Sequence, residues 1–316
     1  MVSLPPLLAL VGPTGVGKTA VAVRLARQLP IEVVSADSRQ VYRGMDIGTG
    51  KPTAAELAAV PHHLIDVVDP HERYHAARFR SDALAAIAGI RERGRLPVVV
   101  GGTGLYVRAL LRGLVPAPPA DPALRAELER FADAHGAGTL HARLAAVAPE
   151  TARRLHPNDR IRIVRALEIH AHRAPEAGSP ADGDWAAPSR PWRLAMIGLA
   201  RERTRLHAAL ADRARSMLDR GMMDEVQRLL QAGYDPERPP LDGIGYRPLA
   251  RAARGLTTEE EALRLMVRDT TRYARRQMTW FAREPEIRWI DVDEAGGLDG
   301  AAEAVLKQLT REGLIE

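Results

Sequence analysis

Residues 7–19 read LLALVGPTGVGKT: five apolar residues, then a glycine-rich turn ending in Lys18 and Thr19. The turn, Gly12-Pro13-Thr14-Gly15-Val16-Gly17-Lys18-Thr19, fits G-x-x-x-x-G-K-[ST]. It follows a strand-like run and opens a helical pattern, the context in which the motif holds phosphate. Its glycines let backbone N–H groups converge on an anion, and the following helix adds its positive end. Lys18 supplies a point charge. The Thr19 hydroxyl is placed to hold Mg²⁺.

Outward from this turn, strand and helix alternate. IEVVSA (31–36), HLIDVVD (63–69) and LPVVV (96–100) are short β-branched runs. Helical patterns occupy 18–29, 76–93 and 103–112. This order predicts an α/β fold of the nucleotide-kinase-like phosphate-loop class, a parallel sheet covered by helices. After VPAPPADP (115–122) the patterns turn helical up to about residue 173, and 174–190 is a Pro-, Gly- and Ala-rich linker. Strand WRLAMIGLA (192–200) resumes the core, followed by helices at 201–219, 222–232 and 258–282, strand IRWIDV (287–292) and a last helix. The expected organisation is a core of residues 1–115 and 191–316, with an all-helical domain inserted at 116–190.

The 316 residues are ample for a packed core. There is no cysteine, which excludes disulfide scaffolds, thiol nucleophiles and Cys-ligated metals and fits a reducing cytoplasm. The opening residues lack the pattern of a signal peptide, and no apolar stretch approaches the ~20 residues of a membrane span. The net charge of +5 is unevenly spread. Residues 151–173 carry six arginines against two acids, and residues 247–283 nine against four. Two basic patches on a mildly acidic body suggest a polyanionic partner, although solvated helix faces give the same pattern. In 258–282, Arg264, Arg268, Arg272 and Arg276 recur every four residues. A separate stripe of Leu263, Met266, Val267, Thr270, Ala274, Gln277 and Phe281 faces the core. Few acids are available to neutralise the arginine row, which points it toward RNA phosphates. No exposed apolar stripe is evident, so a monomer is expected.

The phosphate loop does not name a chemistry. A guanine-reading N-K-x-D is absent, and LPVVV runs into Gly101-Gly102 rather than a Walker B aspartate. That leaves a small transferase. Asp37 and Ser38 follow the second strand, on the edge where such sheets bind ligands. Asp37 there serves either as a proton acceptor or as a turn cap. Thr103, after Gly101-Gly102, fits a helix N-cap and can do more. The pairs His62-His63 and His170/His172 make no convincing metal constellation.

GPTGVGKT, SADSRQVYRGMDIGTGKP, VVVGGTGLY, HPNDRIRIVRALEI and TRYARRQMTWF occur in one order. Together they resemble the tRNA dimethylallyltransferases (tRNA isopentenyltransferase family) over nearly the whole chain. The string D-S-x-x-x-Y-x-G-M-D-I-G-T-x-K-P, residues 37–52, is highly specific. The resemblance implies transfer of a dimethylallyl group from dimethylallyl diphosphate to N6 of the adenosine beside the anticodon. It implies Mg²⁺ as cofactor, the diphosphate on residues 12–19, and Asp37 as general base. Thr103 would contact the target nucleotide, and Arg213 would contact the diphosphate. tRNA contacts are implied at Asp37, Ser38, Arg39, Gln40, Thr103 and Arg125. The same holds for Ile161, Arg162, Ile163, Val164 and Arg165, and for Asp242, Gly243, Ile244, Gly245, Tyr246 and Arg247. The inserted domain would close on the tRNA anticodon stem-loop. Two other readings stay open: a small-molecule or nucleoside kinase, with the insertion as a lid, and an RNA-binding module with a vestigial loop.

Overall fold

The computed structural model describes residues 4–114, 117–172 and 192–315. Six strands form one sheet: β1 (Pro6–Val11), β2 (Ile31–Ser35), β3 (His62–His63), β4 (Leu96–Gly101), β5 (Arg193–Ala200) and β6 (Arg288–Asp291). The order is β3-β2-β4-β1-β5-β6 and every pairing is parallel. The edge strands β3 and β6 are partly exposed, while the four inner strands β1, β2, β4 and β5 are buried on both faces and so read as nearly unbroken apolar runs. The period-2 geometry still divides them. Leu7, Ala9 and Val11 enter one core layer, and Leu8 and Leu10 the other.

Four helices lie in the first stretch of chain: α1 (Lys18–Leu25), α2 (Ala54–Ala59), α3 (Ala76–Glu92) and α4 (Gly104–Arg112). Four more follow: α5 (Pro122–His135), α6 (Ala137–Val147), α7 (Pro149–Arg154) and α8 (Arg160–Ala171). The last five are α9 (Arg203–Asp219), α10 (Met222–Gln231), α11 (Tyr246–Ala253), α12 (Glu259–Phe281) and α13 (Gly297–Arg311). The chain divides into two compact units, Met1–Leu111 with Arg190–Glu316, and Arg112–Ser189. The second unit has its own core, built on Leu128, Leu140, Leu144, Ile163 and Leu167. The proposed linker at 174–190 lies outside the described residues.

One expected strand is absent. Of HLIDVVD, only His63 lies in a strand, the two-residue β3, and Val68 makes an isolated bridge with Tyr42. Leu64 and Asp66 have φ of 64° and 57°, a left-handed backbone that cannot continue a strand. Helix α11 carries no expectation from the sequence, because it spans only eight residues.

β1 is central, paired with β4 on one side and β5 on the other; the chain leaves it for β2 on the β4 side, and the later connection from β4 to β5 passes to its opposite side. Such a switch point opens a crevice beyond the carboxyl ends of the strands. Val11 is in register with both Gly101 and Gly198, and Ser35 with Val100. The segments leaving β1, β2 and β4 therefore start at one level. They are the phosphate loop, the Asp37 turn and the Thr103 turn.

Candidate active site

The phosphate loop is shaped by close packing. Gly12 has φ of 142°, and a Cβ there would sit 2.5 Å from the Leu199 carbonyl oxygen. Val16 is fully buried in the sheet core and anchors the loop from below. Gly17 caps α1 in the left-handed region, so α1 starts at Lys18 with its amide end toward the loop. Lys18 Nζ donates to the carbonyls of Gly12 (3.0 Å) and Pro13 (2.8 Å). Burial lowers the Lys18 pKa to about 8, with Asp37 raising it and Arg213 lowering it.

The Asp37 turn satisfies the capping reading and leaves room for the other. Asp37 Oδ1 accepts from the amides of Arg39 (2.8 Å) and Gln40 (3.3 Å). The Thr103 hydroxyl takes a different role from the expected cap. It accepts from the Ser38 amide at 3.1 Å and so ties the β4 turn to the β2 turn. Burial together with Asp37 pushes the phenol of Tyr273, from α12, up to about 12, with Thr103 and the nearby arginines opposing.

Two cavities meet at these turns. One, of about 360 Å³, is lined by Thr14, Gly15, Gly17, Lys18, Thr19 and Arg213 among others. The second, of about 350 Å³, is lined by Ser38, Arg39, Asp242, Gly243, Ile244 and Tyr246, with Leu210, Met217 and Met266 as apolar wall. Thr14, Asp37, Thr49 and Arg213 line both. Arg213 is held there by α9. Burial lowers its pKa, and the neighbouring Asp37 opposes this. Gly50 has φ of 62°, and a Cβ there would overlap the Arg213 guanidinium, so a side chain at this position would displace Arg213 from the cavity wall.

Three residues that sequence reasoning did not assign to the site build its frame. Glu225 on α10 is 1% exposed. It accepts from the amides of Asp46 (2.8 Å), Ile47 (2.8 Å) and Gly48 (3.1 Å) and from the Tyr246 hydroxyl (2.7 Å). Lys51 donates to the Tyr42 carbonyl at 2.7 Å and bridges Asp46 and Asp66. Gln277 on α12 lies between the phosphate loop and Gly102. Glu225 and Gln277 share a signal: each is a polar residue on an apolar helical stripe, Met222-Glu225-Val226-Leu229 and Ala274-Gln277-Phe281.

The remaining expected contacts sort by exposure. In the 242–247 segment, Tyr246 is buried against Glu225, which removes its hydroxyl from any RNA. Asp242 pairs with Arg39 at 3.5 Å, and Arg247 with Glu237 at 2.6 Å. In the second unit, the side chains of Ile163 and Val164 belong to the helical core and cannot reach RNA. Ile161 is 82% exposed and Arg162 is open to solvent. Arg125 and Arg165 both bond Glu168, which is fully covered. Burial alone would raise the Glu168 carboxyl. The two guanidinium groups and the Asp121 amide outweigh that and hold it down at about 2. The arginine row on α12 has more acidic partners than expected: Arg264 bonds Glu261, and Asp269 serves Arg268 and Arg272. Of the histidine pairs, His63 bonds Glu32 and His172 bonds Asp121. Among the described residues, no group of three or more His, Asp or Glu side chains is arranged to hold a metal ion.

The IPP transferase family profile matches residues 40–284, and an isopentenyl transferase profile matches residues 5–68. The chain is 47% identical over 309 residues to the tRNA dimethylallyltransferase of Desulforudis audaxviator, covering 98% of this chain and 99% of that one. This chain belongs to the IPP transferase family. It is also 50% identical to tRNA dimethylallyltransferase 1 of Syntrophotalea carbinolica, over 91% of each. Its fold matches the crystal structure of the tRNA isopentenylpyrophosphate transferase of Bacillus halodurans, with TM-score 0.70, 40% identity and 97% of both chains covered. A eukaryotic dimethylallyltransferase acting on tRNA matches at TM-score 0.79 and 27% identity, over 98% of this chain and 79% of that one. The IPP transferase profile spans the Thr103 turn, α9 and all of α12. The phosphate loop falls within the second profile.

Proposed function

We infer that this chain transfers a dimethylallyl group from dimethylallyl diphosphate to N6 of the adenosine beside the anticodon in tRNA, releasing diphosphate. One observation carries the reading: a cavity over the phosphate loop and a cavity walled by acceptor-side residues share Asp37 and Arg213.

The adenine amine is a weak nucleophile because its lone pair is delocalised into the ring. The reaction therefore needs alignment, a proton acceptor and a stabilised leaving group. In the proposed step, N6 bonds to C1 of the allyl group as the C1–O bond breaks. Asp37 takes the N6 proton, and the diphosphate leaves with the electron pair. Loop amides, Lys18 and Arg213 stabilise the charge that develops on it. Leu210, Met217 and Met266 give the allyl chain an apolar wall. The Thr19 hydroxyl lines the loop cavity and would hold Mg²⁺ there. When bound, Mg²⁺ neutralises diphosphate charge.

The target base must leave its stack, at about a few kcal/mol. Phosphate contacts offset this cost. Exposed Ile161 and Arg162, with Arg125 and Arg165 braced by Glu168, make the second unit the proposed RNA-binding domain. The exposed ion pairs on α12 are worth about 0–1 kcal/mol each, so RNA phosphates can replace their acids. Changing Arg264 and Arg268 together to Glu should weaken tRNA binding and lower the salt slope of log Kd by about one to two, measured by filter binding. An unchanged slope would assign the row to solvent. No described helix is long and apolar enough to cross a membrane. We place the protein in the cytoplasm, acting as a monomer.

Lys18→Met should weaken inorganic pyrophosphate binding about ten- to hundredfold near pH 7, the scale of a lost charged hydrogen bond. Burial lowers the Lys18 pKa to about 8, and bound diphosphate favours its charged form. The wild-type advantage is therefore full below pH 8 and shrinks above it. Calorimetry at pH 7 and pH 9.5 checks both statements. Equal affinities at pH 7 would remove the loop from diphosphate binding.

The reaction itself is tested by incubating the protein with undermodified tRNA and Mg²⁺, plus labelled dimethylallyl diphosphate or labelled ATP. Prenyl label should move to tRNA adenosine. Transfer of phosphate from ATP to a small acceptor would establish the kinase reading instead.

A further inference from the structure

Gln277 lies on the buried side of α12, 5% exposed, and lines the loop cavity. Its Oε1 accepts from the Thr14 amide at 2.8 Å, and its Nε2 donates to the Gly102 carbonyl at 2.9 Å. One side-chain amide thus spans two turns that no backbone pairing joins at that point. Gly102 has to be glycine for this, because a Cβ there would overlap Nε2. The same helix brings Thr270, Tyr273 and Arg276 to the acceptor-side cavity. Thr14 lines both cavities.

We propose that Gln277 is a positioning residue for prenyl transfer: its amide fixes the Thr14 peptide of the phosphate loop and the Gly102 peptide of the Thr103 turn, and so registers the diphosphate cradle against the acceptor cavity. The proposal rests on the diphosphate reading of the loop. With the Thr14 N–H committed to Gln277, the Pro13–Thr14 peptide is held in one orientation. The Pro13 carbonyl then stays where Lys18 Nζ meets it. On the other side, the Gly102 carbonyl is held next to Thr103, whose hydroxyl accepts from the Ser38 amide. Loss of the amide releases both peptides and leaves a half-buried donor and a buried acceptor without this partner. Gln277 does not touch the reacting atoms. It acts through Thr14 and Gly102.

The test compares wild type, Gln277→Met and Gly102→Ala by calorimetry with inorganic pyrophosphate, by tRNA binding without donor, and by steady-state kinetics. Methionine keeps length and apolar packing but removes both hydrogen bonds. Gly102→Ala displaces the amide from the opposite side at a φ that alanine tolerates. Both variants should raise the pyrophosphate Kd and the KM for dimethylallyl diphosphate about tenfold or more, with tRNA Kd within about twofold. A pyrophosphate Kd within about twofold of wild type in a folded variant would overturn the proposal, as would an equal loss of both affinities, the mark of a general structural role. If Gln277→Met does not fold, Gly102→Ala decides on the same criteria. Wild type that binds no pyrophosphate would remove the diphosphate reading and this inference with it. Tight wild-type binding with an unaffected variant removes only the inference.

Discussion

Asp37→Ala should lower kcat by about 10²- to 10⁴-fold, the scale of a lost general base, while tRNA and pyrophosphate affinities stay within about threefold. The carboxylate does two jobs, and the variants must separate them. Oδ1 holds the Arg39 and Gln40 amides and so shapes the turn that presents Ser38 to Thr103. Alanine removes this support together with the base. Asparagine keeps an acceptor for both amides and cannot accept the proton. Asp37→Asn should therefore melt like wild type and be as slow as Asp37→Ala in single-turnover transfer. If the asparagine enzyme turns over at near the wild-type rate, Asp37 is a turn residue only and the N6 proton leaves by another route.

That one residue fits both readings shows where sequence inspection stops. β1, β4 and the loop between β1 and α1 were readable because their signals are local: apolar runs bounded by glycine, and fixed spacing. The long helix α12 was readable for the same reason, since its buried stripe repeats every three to four residues. HLIDVVD had the composition of a strand, but composition does not report the left-handed backbone at Leu64 and Asp66. Partners distant in sequence were out of reach. Gln277 meets a loop 263 residues away, and Glu225 meets amides 179 residues away in the Asp46 case. The break each makes in an apolar stripe was visible, but the group it satisfies was not. Arg125 and Arg165 were legible as basic residues. The buried Glu168 that braces both was not, because a glutamate in a helix reads as solvated by default.

Glu225→Ala should destabilise the protein by about 3–5 kcal/mol, among the largest effects of a single change outside the reacting atoms. The side chain satisfies three successive backbone amides and one buried phenol. Each buried donor left unpaired costs about 1–3 kcal/mol, offset in part because the carboxylate no longer has to be desolvated. The loop it holds packs closely: a Cβ on Gly48 would lie 2.5 Å from Met222 and 2.6 Å from the Tyr246 ring. Released, that loop moves Thr49 and Gly50, which line the cavities beside Arg213. Loss of stability should therefore bring loss of kcat/KM even at temperatures where the variant remains folded. Glu225→Gln is the sharper probe, since its NH₂ must face an N–H donor and only its oxygen can accept. Tyr246→Phe removes one bond of the four and should cost about 1–2 kcal/mol. Because both residues share one bond, the double variant Glu225→Gln/Tyr246→Phe should cost less than the two single losses added together. Urea unfolding of the four proteins measures the coupling. Strictly additive losses, or a Glu225→Ala protein within about 1 kcal/mol of wild type, would show that the loop is held by its packing and not by the carboxylate.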